Sequence, residues 1–387
     1  MADWAVTTAN DKLQFDTQAN KYNSCYAIDS NHFINFWSGN AGDGYVQVFT
    51  VNTTTWAVTT AGAQKEFDVT NGTYNSCYQI DANHFINFWS GNADDGYVQA
   101  FTVNTTTWAV TTANSSLEFD AANGTYNSCY QIDANHFINF WLGASGNTYS
   151  QVFTVSTSTW AVTTANAALT VSGSSGGYFS CFQVNANHFI SFWCGADNDG
   201  FAQVFTVNTT TWAVTTANNP LEFDTANSNY NSCYAIDSNH FINFWTDASI
   251  DGKVQVFTVN TTTWAVTTAG ASLEFDTQDS KWNSCYAIDS NHFINFWAGP
   301  GGDGFVQVFT VNTSTWTVTT AAASLEFDTT NGTGDSCYQI DANHFINFWS
   351  AEYDVSGYVQ VFTVELPAAP VASAAPVFMH HYKLLSQ

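Results

Sequence analysis

The sequence predicts an all-β fold: a closed seven-bladed β-propeller of four-stranded antiparallel blades. Three observations lead there. The chain repeats itself with a strict period of 52 residues, each period holds four strand-like segments, and the chain opens partway through a repeat. Self-similarity at such a period marks stacked or ringed supersecondary units.

The period is read from fixed landmarks. Trp4, Trp56, Trp108, Trp160, Trp212, Trp264 and Trp316 follow one another at 52-residue steps. The same step links seven cysteines from Cys25 to Cys337 and seven histidines from His32 to His344, and the last unit ends at Val364. Length alone would suggest two or three domains, but the repeat makes residues 1–364 a single one.

In the first unit the strand segments are Ser24–Asp29, His32–Trp37, Tyr45–Val51 and Thr55–Thr60. All are short and rich in β-branched and aromatic residues. Between them lie Asp29-Ser-Asn31, the Gly39 to Gly44 stretch and Asn52-Thr-Thr54, which are turn chemistry. Neither face of Tyr45–Val51 is cleanly polar, as a sheet sandwiched between two others requires. The Leu117-Glu-Phe-Asp120 element that precedes each inner strand reads as a connector with short strand character.

Closure follows from the ends of the repeat. A linear solenoid needs atypical caps, whereas the first and last units here resemble the rest. The chain opens with the fourth-strand segment containing Trp4 and Val6, and its last unit stops after a third strand, Gly357–Val364. A 3+1 latch, with the N-terminal strand completing the last blade, is therefore expected.

Repeats of this length, with a late Trp and an Asn-His pair opening a strand, resemble those of the β-propeller superfamily, which includes WD40, kelch and lectin-like repeats. The resemblance covers 364 of 387 residues. WD40 blades carry a hydrogen-bonded His, Ser/Thr, Asp and Trp, and Ser24, Asp29, His32 and Trp37 are similar in composition. Their order differs and the Trp-Asp dipeptide is missing, so no family is assigned.

Composition narrows the function. Apolar residues make up 45% and aromatics 17%, enough for a large core, while six lysines, no arginine and 32 acidic residues give a net charge of -26. That charge repels nucleic-acid phosphates and anionic lipid, which leaves neutral polymers, cations or proteins as partners. No apolar run approaches the roughly 20 residues that span a bilayer. The start, Met1-Ala-Asp-Trp4, shows no basic segment leading into an apolar stretch. Localisation stays open, and a virion surface exposed by lysis is one route outside the cell.

The repeated polar residues read as structural. Seven-fold related histidines rarely converge as metal ligands, so each is expected to bond the Asp of its own turn, as His32 with Asp29, with Asn185 standing in before His188. The seven cysteines are expected to be buried free thiols, because stacked sheets lie about 10 Å apart and a disulfide needs Cα atoms within about 7 Å. Cys194 has no evident mate. Acidic loops such as Asn92–Gly96 lack the Asp spacing of a calcium loop. The Asn-Thr-Thr turns at Asn52, Asn104, Asn208 and Asn260 match a glycosylation acceptor cheaply. No nucleophile, base and orienting group stand together, so neither an enzyme nor a cofactor is expected.

After Val364 come a Pro/Ala linker, residues 365–376, and a peptide, residues 377–387, whose Phe378, Met379, His380, His381, Tyr382, Leu384 and Leu385 suit docking to a protein partner. The layout of rigid head, stiff linker and docking tail is similar to that of tailed-phage decoration or receptor-contact proteins. A non-catalytic display role in a larger assembly is the first expectation. A multivalent carbohydrate-binding lectin of the propeller type is the second.

Overall fold

Seven antiparallel four-stranded sheets form the ring, a seven-bladed β-propeller. The computed structural model describes residues 3–367 except 19, 173–175 and 352–355, so most of the linker and the whole docking peptide lie outside the described residues. Blade 1 runs outward from the axis through Lys21–Ala27, His32–Ser38, Gly44–Val51 and Val58–Asp68. Its register places Phe33 opposite Phe49, Asn35 opposite Gln47 and Trp37 opposite Tyr45. Phe33, Ile34, Phe36 and Trp37 are all fully buried, so the second strand is covered on both faces. Its near-continuous apolar run is what such double burial requires.

The Leu-Glu-Phe-Asp element proves to be strand. Leu117–Asp120 pairs with the third strand of its own blade, and in blades 1 and 5 it fuses with the outer strand into Val58–Asp68 and Val266–Asp276. In those fused strands Gly62 and Gly270 take φ of +69° and +72°, the left-handed conformation glycine tolerates best. The Phe of the element wedges between blades: Phe67 meets Phe36 of blade 1 edge-on, and Phe101 and Trp89 of blade 2. The following Asp68 Oδ2 accepts the Trp89 indole N–H at 2.8 Å.

Each blade is tied to the next in two further ways. His32 holds Nδ1 2.9 Å from Asp29 Oδ1, and its ring lies flat on Trp108 of blade 2, centroids 3.6 Å apart. The stack recurs seven times, including Trp56 on His344 and Trp4 on His292. Nearer the axis, Ser24 Oγ accepts the Cys77 N–H of the next blade at 2.9 Å, and Ser336 accepts that of Cys25 to complete a belt of seven. Trp37 bonds elsewhere again, to Asp16 Oδ2 at 2.7 Å. Ser24, Asp29–His32 and Trp37 thus serve three separate contacts and not one shared network.

The belt corrects the 10 Å spacing assumed for the cysteines. Sheets that radiate from an axis converge toward it, so inner strands sit within direct hydrogen-bond reach. The eight cysteines are nonetheless buried and unpaired.

The chain's first strand, Val6–Thr8, pairs with Ser356–Val364, Val6 opposite Val364. The Trp4 N–H donates to Glu365 O at 2.6 Å and the Glu365 N–H to Ala5 O at 2.8 Å. Removing residues 1–10 should therefore cost about 2–4 kcal/mol, the burial of Val6 plus one aromatic stack, and expose an unpaired edge that promotes association. Thermal melting and light scattering of the deletion check this; an unchanged Tm and a monodisperse sample would refute the latch.

Candidate functional site: an aromatic mouth on the axis

The two faces of the ring differ. One carries the His–Trp stacks. On the other, the inner strands begin, and each opens with a side chain directed at a common mouth: Tyr22, Tyr74, Tyr126, Tyr178, Tyr230 and Trp282, with Gly334 at the seventh position. Successive centroids from Tyr22 to Trp282 are 4.3 to 4.8 Å apart. Trp282 leans across the glycine toward Tyr22, leaving 5.7 Å between those rings.

Backbone strain aims these rings. The six aromatic residues have φ between 51° and 58°, and Gly334 has φ of +64°. For a residue with a Cβ this conformation costs on the order of 1 kcal/mol or more, and such strain gathers at functional sites. The left-handed step breaks the ladder between the first and fourth residues of the strand, as between Lys21 and Ser24, and turns the second side chain toward the axis.

An amide tier backs the rings. Asn75 Nδ2 donates to Tyr22 O of the preceding blade at 3.3 Å, and Asn127, Asn283 and Asn23 reach Tyr74, Tyr230 and Gly334 in the same way. Deeper in the channel a second circle, Tyr26, Tyr78, Tyr130, Phe182, Tyr234, Tyr286 and Tyr338, closes on itself at 4.9 to 5.1 Å. Burial pushes the phenols of Tyr26, Tyr78, Tyr234, Tyr286 and Tyr338 upward, so they keep their protons. The mouth encloses about 200 Å³, below the roughly 300–1,000 Å³ of pockets that engulf drug-sized ligands. It suits a small ligand or the end of a longer one.

Two blades depart from the amide tier: blade 4 carries Phe179 and blade 7 carries Asp335. Asp335 is the one ionisable carboxyl among the described lining residues. Its Oδ1 accepts from Asn347 Nδ2 at 2.7 Å, while Oδ2 is buried with no hydrogen-bond partner. Burial raises its pKa well above the ordinary carboxylate range; the Asn347 bond opposes this and the charge of Asp328 adds to it.

The seven described histidines, His32 to His344, are spread over seven blades, each engaged by its own Asp or Asn and covered by a Trp. Among the described residues no three His, Cys, Asp or Glu side chains group as metal ligands. The mouth residues escape a search for repeated chemistry, because Tyr22 and its equivalents read as ordinary strand aromatics. The available signal is the break in unit seven, Thr333-Gly-Asp-Ser336 where unit two has Thr73-Tyr-Asn-Ser76.

No protein-family model matches the chain, and no curated protein matches it in sequence. Solved structures do match in fold. The lectin BP39L from Burkholderia pseudomallei has a TM-score of 0.65 at 11% identity, covering 91% of this chain and 98% of that one. A candidate 6-phosphogluconolactonase from Bacteroides fragilis has a TM-score of 0.59 at 12% identity, covering 79% and 84%. Another from Bacteroides uniformis has 0.61 at 8%, covering 79% and 85%. At these identities the likeness is one of fold.

Asp335→Asn tests the strained carboxyl. A folded-state pKa raised above the ordinary 3.8 means that the carboxyl's contribution is intact below that pH and is lost as pH rises. The Asn variant should match the native protein in denaturant at pH 3.5 and exceed it at pH 7.5 by about 1–2 kcal/mol, the cost of one unsatisfied buried group. Equal stability at both pH values would show the carboxyl to be solvated.

Proposed function

We propose that this protein is a non-catalytic binding propeller whose ligand is carbohydrate, taken end-on at the axial mouth. The observation that carries the reading is the convergence of six aromatic rings, backed by amides and protonated phenols, on a single small cavity. Aromatic side chains with a polar handle suit ligands that have one apolar and one hydroxylated face. The fold likeness to a propeller lectin, which spans nearly all of both chains, supports it. The likeness to candidate lactonases has less support from chemistry. A phosphorylated substrate calls for cationic, preferably guanidinium, clamps. This chain has no arginine and a net charge of -26.

A glycan array followed by titration calorimetry tests the proposal. Binding should be found, Tyr126→Ala and Tyr178→Ala should each weaken it about tenfold, equivalent to about 1.4 kcal/mol, and 6-phosphogluconolactone should not turn over. The reading fails if no glycan binds or if both variants bind as tightly as the native ring.

Display on a larger assembly is a compatible second reading, and one observation favours it. Glu365 lies beside Trp4, on the histidine face and opposite the mouth. A head anchored through Phe378 to Leu385 would present its mouth outward. Truncation after Val364 should leave a folded ring with unchanged glycan affinity that no longer incorporates into its assembly, a virion being the first to examine. Normal occupancy of the truncated ring would move the anchor onto the propeller itself.

A further inference from the structure

Blade 6 departs from the repeat in two segments that are apart in sequence and meet in space. Its inner strand is entered through Asp279-Ser-Lys-Trp282, where blade 2 has Asn71-Gly-Thr-Tyr74. Some twenty residues on, its second and third strands are joined through Pro300-Gly-Gly302. The equivalent turns of blades 1 to 4 carry Ala41, Ala93, Ser145 and Asp197 where blade 6 has Gly301. Backbone conformation does not demand that glycine, since those four residues hold a left-handed φ of 55° to 59°. Packing does not demand it either: beyond its chain neighbours, the atom nearest to a Cβ built on Gly301 is Asp303 Oδ1, at 3.8 Å. The two segments bound one open hollow of about 470 Å³. Tyr230 and Trp282 line both this hollow and the mouth, so the two cavities share a wall.

We infer that this hollow is a single-copy subsite for the second sugar unit of a neutral glycan whose end occupies the mouth. The subsite depends on the carbohydrate reading of the mouth and adds to it a minimum ligand of two units. Size supports it: the mouth, at about 200 Å³, holds only an end, whereas the hollow falls within the roughly 300–1,000 Å³ of small-molecule pockets. Its polar groups are accessible and of the right kind. Asn71 donates to Gly91 O of its own loop at 2.9 Å, but the aspartate at 279 has no N–H to do so and instead holds Lys281 Nζ at 3.1 Å. The part-exposed ammonium has three donors, so the bond to Asp279 leaves two for sugar hydroxyls. Lys281 and Asp279 are the charged residues of the described lining and they cancel, which favours a neutral ligand. The Trp282 indole in the common wall gives both units an apolar surface with a polar edge. Random departures from a repeat would scatter around the ring; Asp279, Lys281, Trp282 and Gly301 line one cavity. A subsite present once also fixes the ligand's rotation about the axis, which seven equal positions could not do.

The repeat supplies its own control. The variant D279N/K281T/G301A gives blade 6 the residues that blade 2 holds at the same positions, Asn71, Thr73 and Ala93, so it should fold as the native ring does. Methyl glycosides of glucose, galactose and mannose, and the 1,4-linked disaccharides of the same sugars, are titrated by calorimetry into the native protein, Lys281→Thr and the triple variant. The native protein should bind one disaccharide about tenfold more tightly than its methyl glycoside. Lys281→Thr should lower that ratio about threefold, and the triple variant should bring it to about one without change in melting temperature. Tyr126→Ala is the reference for the mouth and should weaken both ligands. If the native protein shows no preference for a disaccharide, or the variants keep it, while Tyr126→Ala is weakened, the hollow is wrong and the carbohydrate mouth stands. If no saccharide binds at all, both readings fall.

Discussion

Seven times around the ring, an indole from one blade lies flat on the imidazole of the blade before it, and the remaining order of the molecule depends on that contact closing into a circle. A blade alone is a narrow meander with two apolar faces and cannot stand in water. Each stack contributes on the order of 0.5–1.5 kcal/mol beyond its buried area. Its geometry is set from both sides. Asp29 fixes the plane of His32, while Trp108 is held by a turn in which its own φ is +57° and its N–H donates to Asn104 O at 2.6 Å. The same scheme makes Trp4 more than an N-terminal residue, because His292 would otherwise be the one imidazole without a cover.

The stacks work at one face, the Ser–Cys belt near the axis, and the wedged Phe with its Asp–Trp bond farther along each blade. These three contacts lie at different heights and radii, so together they fix the tilt of neighbouring sheets and not only their spacing. Blade 4 shows the effect of losing one. Ser172 stands where other units have Asp, and the Trp193 indole N–H is buried with no hydrogen-bond partner among the described residues. The blade keeps its place because the other two contacts at the same joint, the stack of His136 with Trp212 and the belt bond from Cys181 N–H to Ser128 Oγ, remain.

How much of this could be read in the sequence depends on the range of each interaction. The blade count, the strand order and the Asp29–His32 approach are legible because they are local or strictly periodic. The partner of each Trp is not, since a contact from Trp108 back to His32 looks the same in a 52-residue repeat as one within a unit. The spacing of the cysteines is not legible for a geometric reason: the separation of flat stacked sheets does not apply where radiating sheets converge. The Leu-Glu-Phe-Asp element read as a connector because its break from the outer strand hides a shared ladder; blades 1 and 5, where glycine bridges the break, show it continuous. The tail is a visible departure from the repeat, whereas the departure at Gly334 and Asp335 lies inside a well-formed unit whose strand pattern it leaves intact.

That departure makes sense energetically only if its two residues are considered together. Glycine at φ of +64° relieves a strain of about 1–2 kcal/mol that the six aromatic equivalents bear. A buried carboxyl with one orphaned oxygen costs about 1–3 kcal/mol. The gain and the loss fall on adjacent residues and nearly cancel, so blade 7 can hold a chemically unsatisfied group without weakening the ring at the blade completed by the chain's two ends. Placed in any blade with Tyr at the preceding position, the same carboxyl would add its cost to an existing strain and would sit behind a phenol ring. In blade 7 the glycine offsets that cost on the adjacent residue, and this local balance is why the ring carries an asymmetric mouth at its closing blade without weakening there.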